Sequence, residues 1–352
     1  MKQLSLLLIL AIATSCDQSE DPVPRSSASP QPNQDWLIPV DEVFDVLGRD
    51  GIPSLSNPTL VHNSETEIFD PELVLGYFDG KNAIAYPHRI LDWHEIINQR
   101  VDNDFITVTY CPLTGTGIGW PQDFQNNETE FGVSGLLYNS NLIAFDRNTN
   151  SNWSQMRLQA VSGPLKGTEM PVIQLVETRW SVWKSMFPET LVVSSNTGWD
   201  RPYGLYPYQD YRTNHNNMLF PISIDDGRLN RKERVHGVLV NGEAKVYRFG
   251  SFDGDYSLIQ DTFEGLDIIV LGNNSDLIVS FEATLEDGTK PVFSPINEEG
   301  RAVIADNQGN QWDAFGYHVA GSTPIDLKPT QSFMGFWFAW GAFYPSPEIY
   351  GI

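Results

Sequence analysis

The residues richest in possible chemistry stand together. Val108 to Trp120 reads VTYCPLTGTGIGW, an apolar run that ends on Cys111 and opens into a glycine ladder, Gly115, Gly117 and Gly119. The chain has 2 cysteines; the other, Cys16, lies in a leader-like start. A thiolate is both a nucleophile and a metal ligand, and the thiol pKa governs its reactivity. Glycines let backbone N–H groups turn toward an anion, and such a nest would lower a thiol's pKa. The spacing G-x-G-x-G is neither a dinucleotide fingerprint nor a P-loop, so a nucleotide site is not indicated. Cysteine is also a small hydrophobe that packs inertly, so a buried structural Cys111 is the competing reading.

Of the 6 histidines, His88 and His94 lie nearest Cys111, and Glu95 follows His94. A Cys and a His can form a nucleophile–base pair or a soft metal site for copper or zinc. The candidate catalytic set is therefore Cys111, His94 and Glu95, with Cys111 and His94 as candidate metal ligands and a small molecule or a metal as the ligand. Asp146 to Asn152 reads D-x-N-x-N and invites calcium, but position six is Ser151 and position twelve is Arg157. Gly and Glu belong there in a calcium loop, so a hairpin turn is expected. G-x-S-x-G, H-E-x-x-H and C-x-x-C are absent from the sequence, which leaves serine-hydrolase, zincin and dithiol-redox readings without support.

The elements that must position these residues occur twice. WSVWKSMFP at 180–188 matches WFAWGAFYP at 337–345, both W-x-x-W-x-x-x-(F/Y)-P. At a nearly constant separation Val161-Ser162-Gly163 faces Val319-Ala320-Gly321, Trp153 faces Trp312, Asp146 faces Asp306, Tyr86 faces Tyr247 and Gly76 faces Gly237. Self-similarity at a fixed period marks an internal repeat. Two copies, 70–195 and 233–352, follow an N-terminal extension at 36–69, and a connector at 196–232 joins them. Cys111 has no partner in the second copy, where its place falls at Gly272, and neither do His94 and Glu95. Residues that the fold does not need twice are candidates for chemistry, which makes the first copy site-bearing and the second a scaffold.

Alternating apolar runs at 73–78, 83–86, 105–110, 142–145, 238–240, 244–249 and 302–305 predict strands. ILDWHEIIN at 90–98 reads as a helix, with Leu91, Ile96 and Ile97 near one face and Asp92 and Glu95 pointing away. The W-x-x-W segments put aromatics on one helical stripe, and Pro188 and Pro345 stop those helices. Because the stripes recur in both copies, Trp180, Trp183, Trp337 and Trp340 are assigned to the core rather than to sugar binding. The expected fold is α+β, antiparallel-strand-rich with short helices.

MKQLSLLLILAIATSC carries one Lys, a short apolar stretch and small residues before Cys16, the pattern of a signal peptide. Ala13-Thr14-Ser15-Cys16 resembles a bacterial lipobox, which implies lipidation of Cys16 and a membrane partner reached through that anchor. Residues 17–35 are Pro, Ser and acid, a flexible tether. DQSED after Cys16 resembles surface-export tags of Bacteroidetes lipoproteins, so an outer-membrane lipoprotein on the periplasmic or cell-surface side is expected. With 22 Lys+Arg against 45 Asp+Glu, the net charge is -23. That surface repels phosphate backbones, so nucleic acid is not a partner; solubility and recruitment of cations remain as readings of the acidity.

VTYCPLTGTG, FGVSGLLYNSNLIAFDR (131–147), VSGPLKGT (161–168) and FWFAWGAFYP (336–345) resemble the bacterial family known as domain of unknown function 3179. DEVFDVLGRDGIPSLSNP (41–58), YPHRILDWHEIIN (86–98) and KERVHGVLVNGEAKVY (232–247) join the resemblance. Many members resemble Y-C-P-L-C at the loop, where this chain has Thr114. His94 and Glu95 match the family's H-E-(I/V)-(I/V)-N segment. Ser134, Asn139, Asp146 and Arg147 match its G-V-S-G…Y-N-S…D-R segment, which implies that they line a binding site with Cys111.

Overall fold

Ile106-Thr107-Val108-Thr109-Tyr110 is β-branched at four of five positions, which favours a pleated strand over a helix. In the computed structural model, which describes residues 36–124 and 127–352, this run forms the strand Asp104–Cys111. It pairs antiparallel with Ile96–Val101 on one side and Thr116–Pro121 on the other. The leader, Cys16 and the tether lie outside the described residues. All described residues fall in one compact unit, Asp35–Ile352.

Several mostly antiparallel sheets and three short helices build the fold: α1 (His88–His94), α2 (Trp180–Met186) and α3 (Trp337–Phe343). One sheet has the order Val176–Arg179, Leu73–Phe78, Ala83–Pro87, Leu191–Val193, Leu60–His62, and the contact of Leu191–Val193 with Ala83–Pro87 is parallel. Another has the order Gln331–Phe336, Arg234–Val240, Glu243–Arg248, Glu348–Ile349, and its last contact is also parallel. α2 follows Val176–Arg179 directly, as α3 follows Gln331–Phe336. The extension at 36–69 adds an edge strand to three sheets: Val43–Asp45 beside Phe131–Tyr138, Leu55–Ser56 beside Ile96–Val101, and Leu60–His62 beside Leu191–Val193.

Trp183 and Trp340 are fully buried, as the recurring stripes predict. Each lies against a glycine: a Cβ on Gly76 would stand 2.0 Å from the Trp183 ring, and one on Gly237 would stand 2.1 Å from the Trp340 ring. A buried tryptophan removes roughly 150–250 Å² from water, about 4–6 kcal/mol at about 25 cal/mol per Å². Only glycine allows a strand to lie this close to the ring.

The glycine ladder serves the same purpose. A Cβ on Gly117 would stand 2.4 Å from Leu75 Cδ1, and one on Gly119 would stand 2.6 Å from the Ile173 carbonyl oxygen. Gly115, at φ +60, makes the turn between the two hairpin strands. Gly117 and Gly119 are thus spacers for close packing, not an anion cradle. ILDWHEIIN also departs from expectation: α1 stops at His94, and Ile96–Val101 is a strand. β-branched Ile96 and Ile97 suit a strand as well as a helical face, and here the sheet wins. Asp92 and Glu95 are buried, at 4% and 5% exposure, rather than turned to solvent.

Candidate functional site

Glu95 caps α1 with an unusual backbone, φ 58 and ψ -33. Its N–H donates to the Leu91 carbonyl at 2.8 Å, and its own carbonyl accepts from the Tyr110 N–H at 2.7 Å. That second bond ties the end of the helix to the last residues of the Asp104–Cys111 strand. The Glu95 carboxyl has no hydrogen-bond partner among the described residues. Burial, followed by the neighbouring Asp92, raises it to about 8.

Cys111 is 1% exposed and is the free cysteine among the described residues. Its Sγ lies 3.6 Å from the Ser140 carbonyl. Burial first, then Glu95, pushes the thiol up to about 11, against hydrogen bonds from the Thr114 side chain and from the N–H groups of Thr114 and Leu113. The groups that lower the thiol pKa thus belong to residues 113–114 rather than to the glycines, and burial outweighs them. The thiol is protonated at neutral pH. Thr114, where the family resemblance puts a second cysteine, has its hydroxyl 2.8 Å from the Thr116 hydroxyl and accepts from Asn141 Nδ2 at 2.9 Å.

The next layer is ionic. Asp92 Oδ2 lies 2.7 Å from Arg212 Nη2, and its Oδ1 is buried without a hydrogen-bond partner. Burial raises Asp92, opposed by Arg212 and His88. His88 Nε2 lies 3.2 Å from Glu177 Oε2, and its ring packs on Tyr110 at 4.5 Å. Burial would raise Glu177, but Arg234 and His88 together bring it down to about 2.

The connector closes the site from outside. Tyr206 donates to the Pro112 carbonyl at 3.3 Å, and Tyr211 donates to the Leu113 carbonyl at 3.0 Å. Arg212 stacks on the Tyr206 ring at 3.5 Å. Burial holds the Tyr208 phenol well above its usual pKa, with Glu95 and Cys111 adding to the shift. From the second half, the Phe336 N–H donates to the Thr114 carbonyl at 2.7 Å.

The model of the family described as "Protein of unknown function (DUF3179)" matches residues 49–347. The chain belongs to this family. The match takes in the hairpin loop, α1, the connector and nearly all of the second half. No curated protein and no solved structure matches the chain.

The family-matched residues divide in space. The ring nitrogens of His94 have partners other than the thiol. Its Nδ1 lies 2.7 Å from the Pro53 carbonyl and its Nε2 lies 2.6 Å from the Tyr203 hydroxyl. A carbonyl only accepts, so Nδ1 carries the proton and Nε2 accepts from Tyr203. Burial lowers the His94 pKa, which keeps the ring neutral. Asn139 and Ser140, at φ 49 and 62, form the two-residue turn between Phe131–Tyr138 and Asn141–Asp146. This turn delivers Ser140 to Cys111, while the Asn139 side chain binds Ser223 N at 2.7 Å. Ser134 donates to the Ile143 carbonyl inside its own sheet. Asp146 organises its turn by accepting from Trp153 Nε1 at 3.0 Å and from Ser151 N at 3.1 Å, the expected hairpin role. Arg147 pairs with Asp50 at 2.7 Å. Ser134 and Asp146 thus bond within their own sheet and turn, and Arg147 bonds to Asp50 and Ser54 of the extension; none of the three is a partner of the thiol in the bonds described.

Among the described residues no group of three or more His, Cys, Asp or Glu side chains is placed to hold a metal ion, and the two candidate ligands, Cys111 and His94, have separate partners. Copper or zinc does not fit the donor set described here. Among the described residues no helix is long and apolar enough to cross a membrane. Sequence reading missed Asp92, Arg212, Tyr206, Tyr208 and Tyr211. The signal for four of them was YGLYPYQDYR at 203–212, a tyrosine density unusual in a solvated linker.

Proposed function

We propose that this is an extracytoplasmic protein, lipid-anchored at Cys16, with a reactive thiol–carboxyl site at Cys111 and Glu95 in the first of two copies of one folding unit. The matching strand orders around α2 and α3, and the matching Gly–Trp contacts at Gly76 and Gly237, support the duplication. Gly272, which ends the strand Leu266–Gly272, is tightly placed: its Cβ would stand 2.9 Å from the Phe252 ring, which would have to shift for a side chain to enter. The site thus belongs to one copy.

Glu95 carries the functional reading. It combines a strained positive φ, a buried carboxyl without a partner and a pKa of about 8, beside the thiol. Each costs folding free energy, and such costs gather at functional sites. Cys111 is the nucleophile and Glu95 the proton carrier. At rest both hold their protons. Glu95 must first give its own proton to solvent, which it does above about 8; only then can it accept the thiol proton, a transfer that stays uphill until a bound ligand stabilises the sulfur charge. His94 is a positioning residue that fixes the end of α1 between Pro53 and Tyr203.

The second reading is a non-catalytic binding or structural lipoprotein with a packed cysteine. The membership of Cys111 in an apolar cluster with Leu113, Ile118 and Phe336 favours it. Iodoacetamide alkylation of the folded chain, followed by intact mass across pH, separates the two. The reactive reading expects labelling of native protein and an onset moved to lower pH in Glu95→Gln, because removing a negative neighbour lowers the thiol pKa. Labelling only after unfolding, with no effect of Glu95→Gln, establishes the packed cysteine.

A further inference from the structure

A cleft of about 700 Å³ lies away from the thiol, between residues of the two halves. Tyr77 and Asp104 line it from the first half, Tyr317 and Asp326 from the second, with Asp79 and Gln174 beside them. No Lys, Arg or His lines it. The nearby cations are already engaged: Lys81 with Asp102 at 2.7 Å and Arg301 with Asp313 at 2.9 Å. Asp79 is satisfied by the N–H groups of Lys81 and Asn82, and Asp326 Oδ1 accepts from His318 N.

Two further groups in this cleft lack partners. Tyr77 is 6% exposed, yet its hydroxyl makes no hydrogen bond among the described residues. Asp79, Asp104 and Tyr317 all act on that hydroxyl electrostatically, so these groups converge on one place. Gln174 Oε1 is a buried acceptor without a donor. A native structure rarely leaves a buried acceptor such as Gln174 Oε1 unmatched unless something else supplies the partner.

The cleft is therefore rich in acceptors, flanked by aromatic rings and empty of donors that carry charge. A primary ammonium group supplies what is missing: three N–H donors, a positive charge for the carboxylates and attraction to ring faces. A quaternary ammonium supplies charge but no donor for Gln174 or Tyr77. The volume suits a small molecule or one side chain. We propose that this cleft binds a ligand bearing a primary ammonium group, held by Asp104, Asp326, Tyr77 and Gln174.

The test is calorimetric titration of the full chain with cadaverine, with tetramethylammonium and acetate as comparison probes, at low and high salt. Cadaverine should bind more tightly than tetramethylammonium, acetate should not bind, and salt should weaken the cadaverine affinity. Asp104→Asn and Asp326→Asn should each weaken it about tenfold, the scale of one hydrogen bond to a charged group. Tyr77→Phe should weaken it about fivefold, by the same reasoning. Asp255→Asn, an exposed acid outside the cleft, should leave it unchanged. Unfolding midpoints of each variant show that the fold is intact. Absence of cadaverine binding, equal binding of tetramethylammonium, or wild-type affinity in Asp104→Asn and Asp326→Asn overturns the proposal.

Discussion

Glu95, which ends α1, is tied to the strand residue that precedes Cys111. The tie is one backbone bond, from the Tyr110 N–H to the Glu95 carbonyl at 2.7 Å. Burial is the larger cause that keeps the thiol protonated, and Glu95 adds to it once its own proton is lost, above about 8.

Glu95 should also leave a mark on stability. Its folded pKa of about 8 lies above the ordinary 4.5. The folded state therefore keeps the proton longer than the unfolded chain, and stability falls as pH climbs from 4.5 to about 8. Glu95→Gln should flatten that fall and raise the melting temperature more at pH 8 than at pH 5. Equal gains at both pH values would mean that Glu95 does not titrate this way.

Glu177 should behave in the opposite sense. Its folded pKa of about 2 lies below the ordinary 4.5. It stabilises the fold above 4.5, and that contribution is lost as pH falls toward 2. Glu177→Gln leaves Arg234 and His88 facing a neutral group and should cost about 3–5 kcal/mol, the scale for breaking a buried pair. Urea denaturation at pH 7 reads it; a loss under about 1 kcal/mol would show that the pair is replaceable.

Gly76→Ala and Gly237→Ala should each destabilise by about 1–3 kcal/mol through overpacking against Trp183 and Trp340. If the two halves are copies, the penalties should be alike. A harmless Gly237→Ala beside a damaging Gly76→Ala would count against the duplication.

Lys232 clamps the connector. Its Nζ donates to the carbonyls of Tyr211, Asn214 and Asn217 and lies 3.4 Å from the centre of the Tyr211 ring. Lys232→Met leaves those carbonyls without their donor and should speed protease cutting between residues 204 and 220. Unchanged cutting would show that the tyrosines alone hold the segment.

Local pattern made part of this molecule legible. The Asp104–Cys111 strand follows from its β-branched run, and the buried indoles follow from the recurring W-x-x-W. The end of α1 was not legible, because Ile96 and Ile97 fit a helical face and a strand alike, and only pairing with Val108 and Thr109 decides. The ionic layer was hidden for another reason. Asp92 and Arg212 are 120 positions apart, and no periodicity links a helix residue to a connector residue. Burial of the thiol likewise arises from Tyr206, Tyr208 and Tyr211, which reach it only through the tertiary fold.

The three edge strands of the extension follow one another along the chain: Val43–Asp45, Leu55–Ser56 and Leu60–His62. A pull on residue 36 would thus load three sheets in series rather than together. Between the first and second strands lies Pro53, whose carbonyl holds His94. Tension that peels the chain past this point would release the imidazole from one side and loosen the end of α1 while the other two edge strands still grip. In a force-extension trace the first short rip would precede global unfolding, and it would disturb the end of α1 before the core.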